Sequence, residues 1–159
     1  MEYSNLDKED FDAIVTGELT HYALWLEEEL NDIISDYFIA DSKKRIEFKK
    51  FLLHRDGLTF QDKIEIVRGM SLLFDAAAEE VDLKSLLREI EEFKSWRNAL
   101  AHGLDVSPDD NAPMIRVEVV TRSGKERVYE ITPESHETTM KKTADLLVRI
   151  RQARKKLIV

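Results

Sequence analysis

Arg97 and His102 stand in the run Arg97-Asn98-Ala99-Leu100-Ala101-His102-Gly103. An imidazole titrates near neutrality, so it can take or give a proton under physiological conditions. A guanidinium keeps its charge and offers two parallel donors to an oxyanion. Nothing else in the chain pairs an acid/base candidate with a fixed cation in this way. The remaining histidines, His21, His54 and His136, show no ligand spacing with His102 or with one another, and the chain has no cysteine, so no metal site is expected. There is no P-loop or Rossmann glycine pattern, so no nucleotide cofactor is expected either. The run Glu27-Glu28-Glu29 is read as a solvated helix face rather than as paired catalytic carboxylates.

The motif must be carried by a helix. Asp82 to Ala101 keeps helical spacing, with Asp82 as a candidate N-cap and Gly103 as a C-terminal stop. Stepping residues at about 100° from Leu83 puts Leu86, Ile90, Phe93 and Leu100 between about 260° and 340°, a single apolar stripe. Lys84, Ser85, Arg88, Glu91, Glu92 and Ser95 fall on the opposite, wet face. Arg97 lands at about 320°, inside the apolar stripe, where a permanent charge is costly unless it is paired or ligated. Three explanations are open. Arg97 can snorkel past the core or meet a carboxylate from another helix, it can lie in a subunit interface, or it can be held there to meet a phosphate. His102 falls about 140° away from Arg97 around a continuous helix. The two side chains converge only if the helix ends or bends near Gly103, or if a second helix or a second subunit closes the site. Taken by itself, His102 reads as a histidine at a helix C-terminus, where its cationic form interacts well with the dipole.

The segment Arg97 to Gly103 resembles the signature of the HEPN superfamily, small helical domains with an Arg-x4–6-His motif often followed at once by Asn, Asp or His. Here Arg97, Asn98 and His102 supply the pattern, with Ala101 small and the motif at the end of a late helix. The outline over roughly residues 10 to 105 is also similar: a long first helix rich in aromatic and acidic residues, then Leu58-Thr59-Phe60-Gln61-Asp62-Lys63-Ile64 opening a later helix. The resemblance implies a helical bundle, a homodimer with both motifs facing one cleft, and a metal-independent ribonuclease, in many members a toxin or defence effector. Other members are silent modules that bind RNA, nucleotide or a protein partner. Carried over, His102 would be the catalytic base or acid, Arg97 would stabilise the phosphate and Asn98 would support the site. The partners implied are RNA, a second copy and an antitoxin or regulatory protein. One toxin branch carries His-x-Tyr after the motif for modification by a partner enzyme. Leu104 occupies that position here, so an antitoxin of that kind is not implied.

RNA brings its own nucleophile, the 2′-OH beside each phosphodiester. A neutral imidazole can remove its proton, and a fixed guanidinium can take the charge that builds on the non-bridging oxygens. The products expected are a 2′,3′-cyclic phosphate and a 5′-hydroxyl, and DNA would be spared. A third reading, from a different class, is a structural dimer in which Arg97 is an interface ion pair.

The rest of the chain predicts a mainly α fold, a bundle of about five helices with a β-hairpin inserted before the last, in one domain over 1–159. Residues 9–39 predict a long helix with Tyr22, Trp25, Leu26, Leu30, Ile33, Ile34 and Tyr37 packed inward. A base-stacking platform of Tyr22 and Trp25 is the competing, weaker reading. Asp41 or Ser42 caps a second helix through His54, and Thr59 a third to about Phe74, followed by Ala76-Ala77-Ala78 as an extension or linker. Asp105 to Pro113 reads as a loop. Met114 to Val120 alternates, Ser123-Gly124 turns, and Arg127 to Ile131 returns, giving a hairpin over about 114–131. Thr132 or Ser135 opens a final helix over about 134–157.

Net charge is −8, which argues mildly against indiscriminate nucleic-acid binding. The charges are unevenly placed. The first forty residues carry Glu2, Asp7, Glu9, Asp10, Asp12, Glu18, Glu27, Glu28, Glu29, Asp32 and Asp36 against Lys8 alone. The last twenty carry Lys141, Lys142, Arg149, Arg151, Arg154, Lys155 and Lys156 against Asp145. Complementarity of the first and last helices, within the fold or across a dimer, is the preferred reading over an RNA track. The absence of cysteine fits a reducing compartment, no leader peptide follows Met1 and no apolar run reaches the length of a membrane span, so a cytoplasmic protein is expected.

Overall fold

The amphipathic spacing of the first segment is realised as α1, Lys8–Phe38, in a computed structural model that describes residues 2–159. Its buried positions recur every three or four residues: Phe11, Val15, Leu19, then Leu26, Leu30, Ile33 and Ile34. Trp25 departs from the expected inward packing and is 48% exposed, because it sits about 140° around the helix from Leu30. Tyr37 is also exposed, at the end of the stripe, where its ring meets Phe74 edge-on at 5.4 Å.

Local capping sets the following helices. Asp41 accepts from the Lys44 N–H at 2.9 Å and opens α2, Ser42–Phe48, which continues as a π turn over Lys49–Leu53. Thr59 and Asp62 form a reciprocal capping box at the start of α3, Phe60–Met70. This helix stops before the expected Phe74. Asp75 takes φ 49°, which a right-handed helix cannot accommodate, and the chain resumes as a short α4, Ala76–Glu80. Asp82 takes the same φ and accepts from the Ser85 N–H at 3.4 Å before α5, Leu83–His102.

Beyond α5 the sheet has three antiparallel strands, not the two of a hairpin. β1, Leu104–Asp105, follows Gly103 directly and pairs with β2, Ile115–Val120, which pairs in turn with β3, Glu126–Ile131. Ile115 stands opposite Ile131 and Val117 opposite Tyr129, so these residues share one face of the sheet. Gly124 supplies the left-handed residue of the turn, at φ 79°. The last helix, α6, runs Pro133–Leu157, and the Thr132 and Ser135 side chains each accept from the other's backbone N–H at its start. The fold is thus mainly helical: the described residues form six α-helices with a small sheet inserted before the last.

The chain divides into two compact units. The first comprises the residues up to Ala23 together with Glu92–Ala144. Its core is Phe11, Val15, Leu19, Phe93, Ile115, Val117 and Ile131, with His136 buried among them. His136 Nε2 lies 2.5 Å from Glu18 Oε2, and the Tyr3 hydroxyl donates to the same carboxylate at 3.0 Å. The Tyr3 ring meets the imidazole edge-on at 4.9 Å.

The second unit comprises Leu24–Glu91 and Asp145–Val159, with a core of Leu26, Leu30, Ile33, Ile64, Val67, Leu87, Ile90 and Ile150. Here the acidic first helix and the basic last helix do complement each other. Arg151 pairs with Glu29, and Arg154 pairs with Glu29 and Asp32. Lys49 pairs with Glu28 and Asp32, and Arg149 with Glu89 and Asp145. Burial alone would raise the Glu28 carboxyl, and the hydrogen bonds from Lys49 and Asn31 more than offset it, holding the group below the ordinary carboxylate range. Much of the basic charge of α6 is therefore committed within the fold.

Candidate functional site

The motif lies on the last two turns of α5. Phe93 of the apolar stripe is buried and Arg97 is half-buried, whereas Leu100 of the stripe is only half-buried and Ala99, on the face read as wet, is buried. Its Nη1 donates to the Asn98 side-chain oxygen at 3.1 Å. Its Nε is buried and has no acceptor among the described residues. No carboxylate of the described residues forms an ion pair with Arg97, so the partner expected from another helix is not there. The guanidinium is oriented from one side by a neutral amide.

His102 is the last residue of α5, exposed, with no side-chain partner among the described residues. The Gly103 N–H still donates to the Ala99 carbonyl at 2.7 Å, so helical bonding continues unbroken past His102. The bend that would bring the motif together within one chain does not occur. Five residues of unbroken helix set Arg97 and His102 about 140° apart around the axis and about 7.5 Å apart along it. The structure therefore brings Arg97 and Asn98 together and leaves His102 on another side of the same helix.

Two contacts fix the end of this helix to the sheet. The Trp96 ring, one position before Arg97, meets Tyr129 of β3 edge-on at 5.3 Å. A side chain at Gly103 would stand 2.5 Å from the Ala99 carbonyl oxygen and 3.0 Å from Val117 Cβ. Gly103 is thus needed for the close approach of β2. It is not a left-handed helix terminator, since positive φ is confined among the glycines to Gly57 and Gly124.

Among the described residues, no group of three or more histidine, cysteine, aspartate or glutamate side chains is arranged to hold a metal ion, and no helix is long and apolar enough to cross a membrane. No protein-family model, curated protein or solved structure matches the chain.

Sequence reading passed over two buried polar pairs. One is His136 with Glu18, joined by Tyr3. Its signal was available: His136 continues the apolar stripe of α6 that runs through Thr143, Leu147 and Ile150. The other is Lys63, 2% exposed, whose Nζ lies 2.5 Å from Glu27 Oε1. Its signal was available too: Lys63 stands four residues before Val67 and seven before Met70, on the buried face of α3.

Proposed function

We propose that the protein is a metal-independent endoribonuclease of the HEPN type that works as a dimer. The observation that carries this reading is Arg97: half-buried on an apolar stripe, held by Asn98, and matched by no carboxylate among the described residues. A guanidinium in that condition is suited to a scissile phosphate, whose non-bridging oxygens gain charge as the 2′-OH attacks. His102, exposed at the helix end, supplies the base, and a second His102 the acid. The offset within one helix is the reason the site needs two subunits, with Arg97 of one chain working beside His102 of another.

The test is cleavage of a mixed RNA pool in EDTA by wild type, Arg97→Ala and His102→Ala. Cyclic-phosphate ends from the wild type and loss of cleavage in both folded variants are expected. Mixing the two inactive variants then examines the shared site. A composite site regains part of the activity, whereas sites confined to single subunits stay dead.

The second reading is a silent module that binds RNA, nucleotide or a protein partner. It is favoured by the same unbroken helix, which leaves a single chain without a converged acid/base pair. RNA binding without cleavage by the wild type is its signature.

A further inference from the structure

Helix α2 and the π turn that continues it, residues 42–53, bury one side chain between them, Leu53. A helical segment normally owes its stability to an apolar face packed on the core. Here the large apolar groups stand in solvent instead: Ile46 is 69% exposed, Phe51 64% and Leu52 51%.

The basic residues of the segment fall into two sets. Arg45 pairs with Asp36, and Lys49 with Glu28 and Asp32, so both tie the inner side of the segment to α1. Lys43, Lys44 and Lys50 are exposed and form no ion pair among the described residues. Lys43 and Lys50 stand three residues before and four after Ile46, on its side of the helix. Lys50 Nζ lies 5.1 Å from the centre of the Phe51 ring, so the ammonium borders the exposed aromatic. Glu47 is the one carboxylate of the segment. The outer face thus joins three exposed apolar side chains to three uncommitted cations.

We propose that this face docks on the surface of an anionic lipid bilayer. Ile46, Phe51 and Leu52 enter the boundary between headgroups and acyl chains, and the three lysines meet the lipid phosphates and carboxylates. Two features favour a bilayer over other anionic partners. The inner side is held to α1, so a protein partner cannot close around the helix, and a contact from one side is what remains. Nucleic-acid bases stack on aromatic rings, and Phe51 is the one exposed aromatic of the segment, which leaves Ile46 and Leu52 without a use there. A helix lying on the membrane needs no span, and no helix of the described residues could provide one. The proposal is independent of the ribonuclease reading, since no residue of the segment belongs to the Arg97–His102 motif.

The test is co-sedimentation of the full chain with vesicles of phosphatidylcholine alone and of phosphatidylcholine with about one-third phosphatidylserine. The anionic vesicles should bind at least about tenfold more tightly, and the difference should shrink as salt is raised. Phe51→Ser and Ile46→Ser should each weaken binding several-fold, and Lys43→Glu, Lys44→Glu and Lys50→Glu combined should abolish it. All five positions are exposed, and thermal melting checks that each variant is folded. Leu72→Ser, at an exposed leucine outside the segment, should bind as the wild type does. Equal binding to both kinds of vesicle, binding to neither, or indifference to the substitutions overturns the proposal. So does binding of poly(U) RNA without vesicle binding, if the triple lysine variant loses it, because a nucleic acid would then be the occupant.

Discussion

Asn98 accepts a hydrogen bond from Arg97 Nη1 at 3.1 Å, between adjacent residues of one helix. Neighbours in sequence on a helix stand about 100° apart and do not normally face each other. The long arginine side chain reaches around to the shorter amide, and the bond leaves the guanidinium charged, because the acceptor is neutral.

This predicts a graded loss of ribonuclease activity. Arg97→Ala removes the cation and should lower kcat by about 100-fold or more, the size expected for a group that meets developing charge. Asn98→Ala leaves the cation but frees it to move, and a loss of about tenfold is expected. Asn98→Asp keeps an acceptor for Arg97 Nη1 and should retain more activity than Asn98→Ala. Equal activity of the two position-98 variants in single-turnover cleavage would remove Asn98 from the site.

Gly103→Ala should destabilise the fold. The added methyl would stand 2.5 Å from the Ala99 carbonyl oxygen of α5 itself and 3.0 Å from Val117 Cβ, so the end of the helix must distort as well as move off the strand. A loss of about 1–3 kcal/mol is expected, read from urea denaturation. A loss within error would mean that β2 can yield at no cost.

Tyr3 gives a pH dependence with a definite sign. Its hydroxyl is pushed up to about 12 from 10.0, first by burial, then by its hydrogen bond to Glu18 and by the charge of that carboxylate. The neutral phenol is the form the folded state prefers. Its contribution is therefore fully present below pH 10 and is lost as pH rises toward 12. Tyr3→Phe should flatten this part of the stability profile. Parallel profiles for the two proteins above pH 10 would sink the assignment.

Lys63 and Glu27 should respond asymmetrically. Lys63 is buried and Glu27 is its ion-pair partner, so Glu27→Ala leaves a buried ammonium without its counter-charge and should cost about 2 kcal/mol or more. Lys63→Met removes the charge and keeps the stem, and should be close to neutral or stabilising. Thermal melts of the two variants check this. A Lys63→Met variant less stable than Glu27→Ala would reverse the argument.

The elements were legible where a local rule dominates. Thr59 announces a cap, Asp41 or Ser42 another, and the alternation from Ile115 to Val119 a strand; the structure settles the second on Asp41 and adds Asp62 to the first as a capping box. The early stop of α3 was not legible, since Leu72, Leu73 and Phe74 continue an apolar pattern while the backbone tightens into i→i−3 turns from Ser71 to Leu73, ahead of the positive φ of Asp75. β1 escaped for a similar reason. Two residues form a strand there because Gly103 lets β2 come close. Of the site, the positions of Arg97 on the apolar stripe and of His102 away from it follow from the helical repeat alone.

What the sequence determined by itself is the set of local states: which segments are helical, which alternate, and which residues share a helical face. Those depend on capping, backbone sterics and the repeat, all of which act over a few residues. What only the tertiary structure decided is pairing across distance. It committed Arg151 and Arg154 of α6 to Glu29 and Asp32 of α1, placed His136 against Glu18, and gave Arg97 no carboxylate among the described residues. A charged side chain reaches many alternatives in the sequence, and the choice among them is made by the whole packing of the chain.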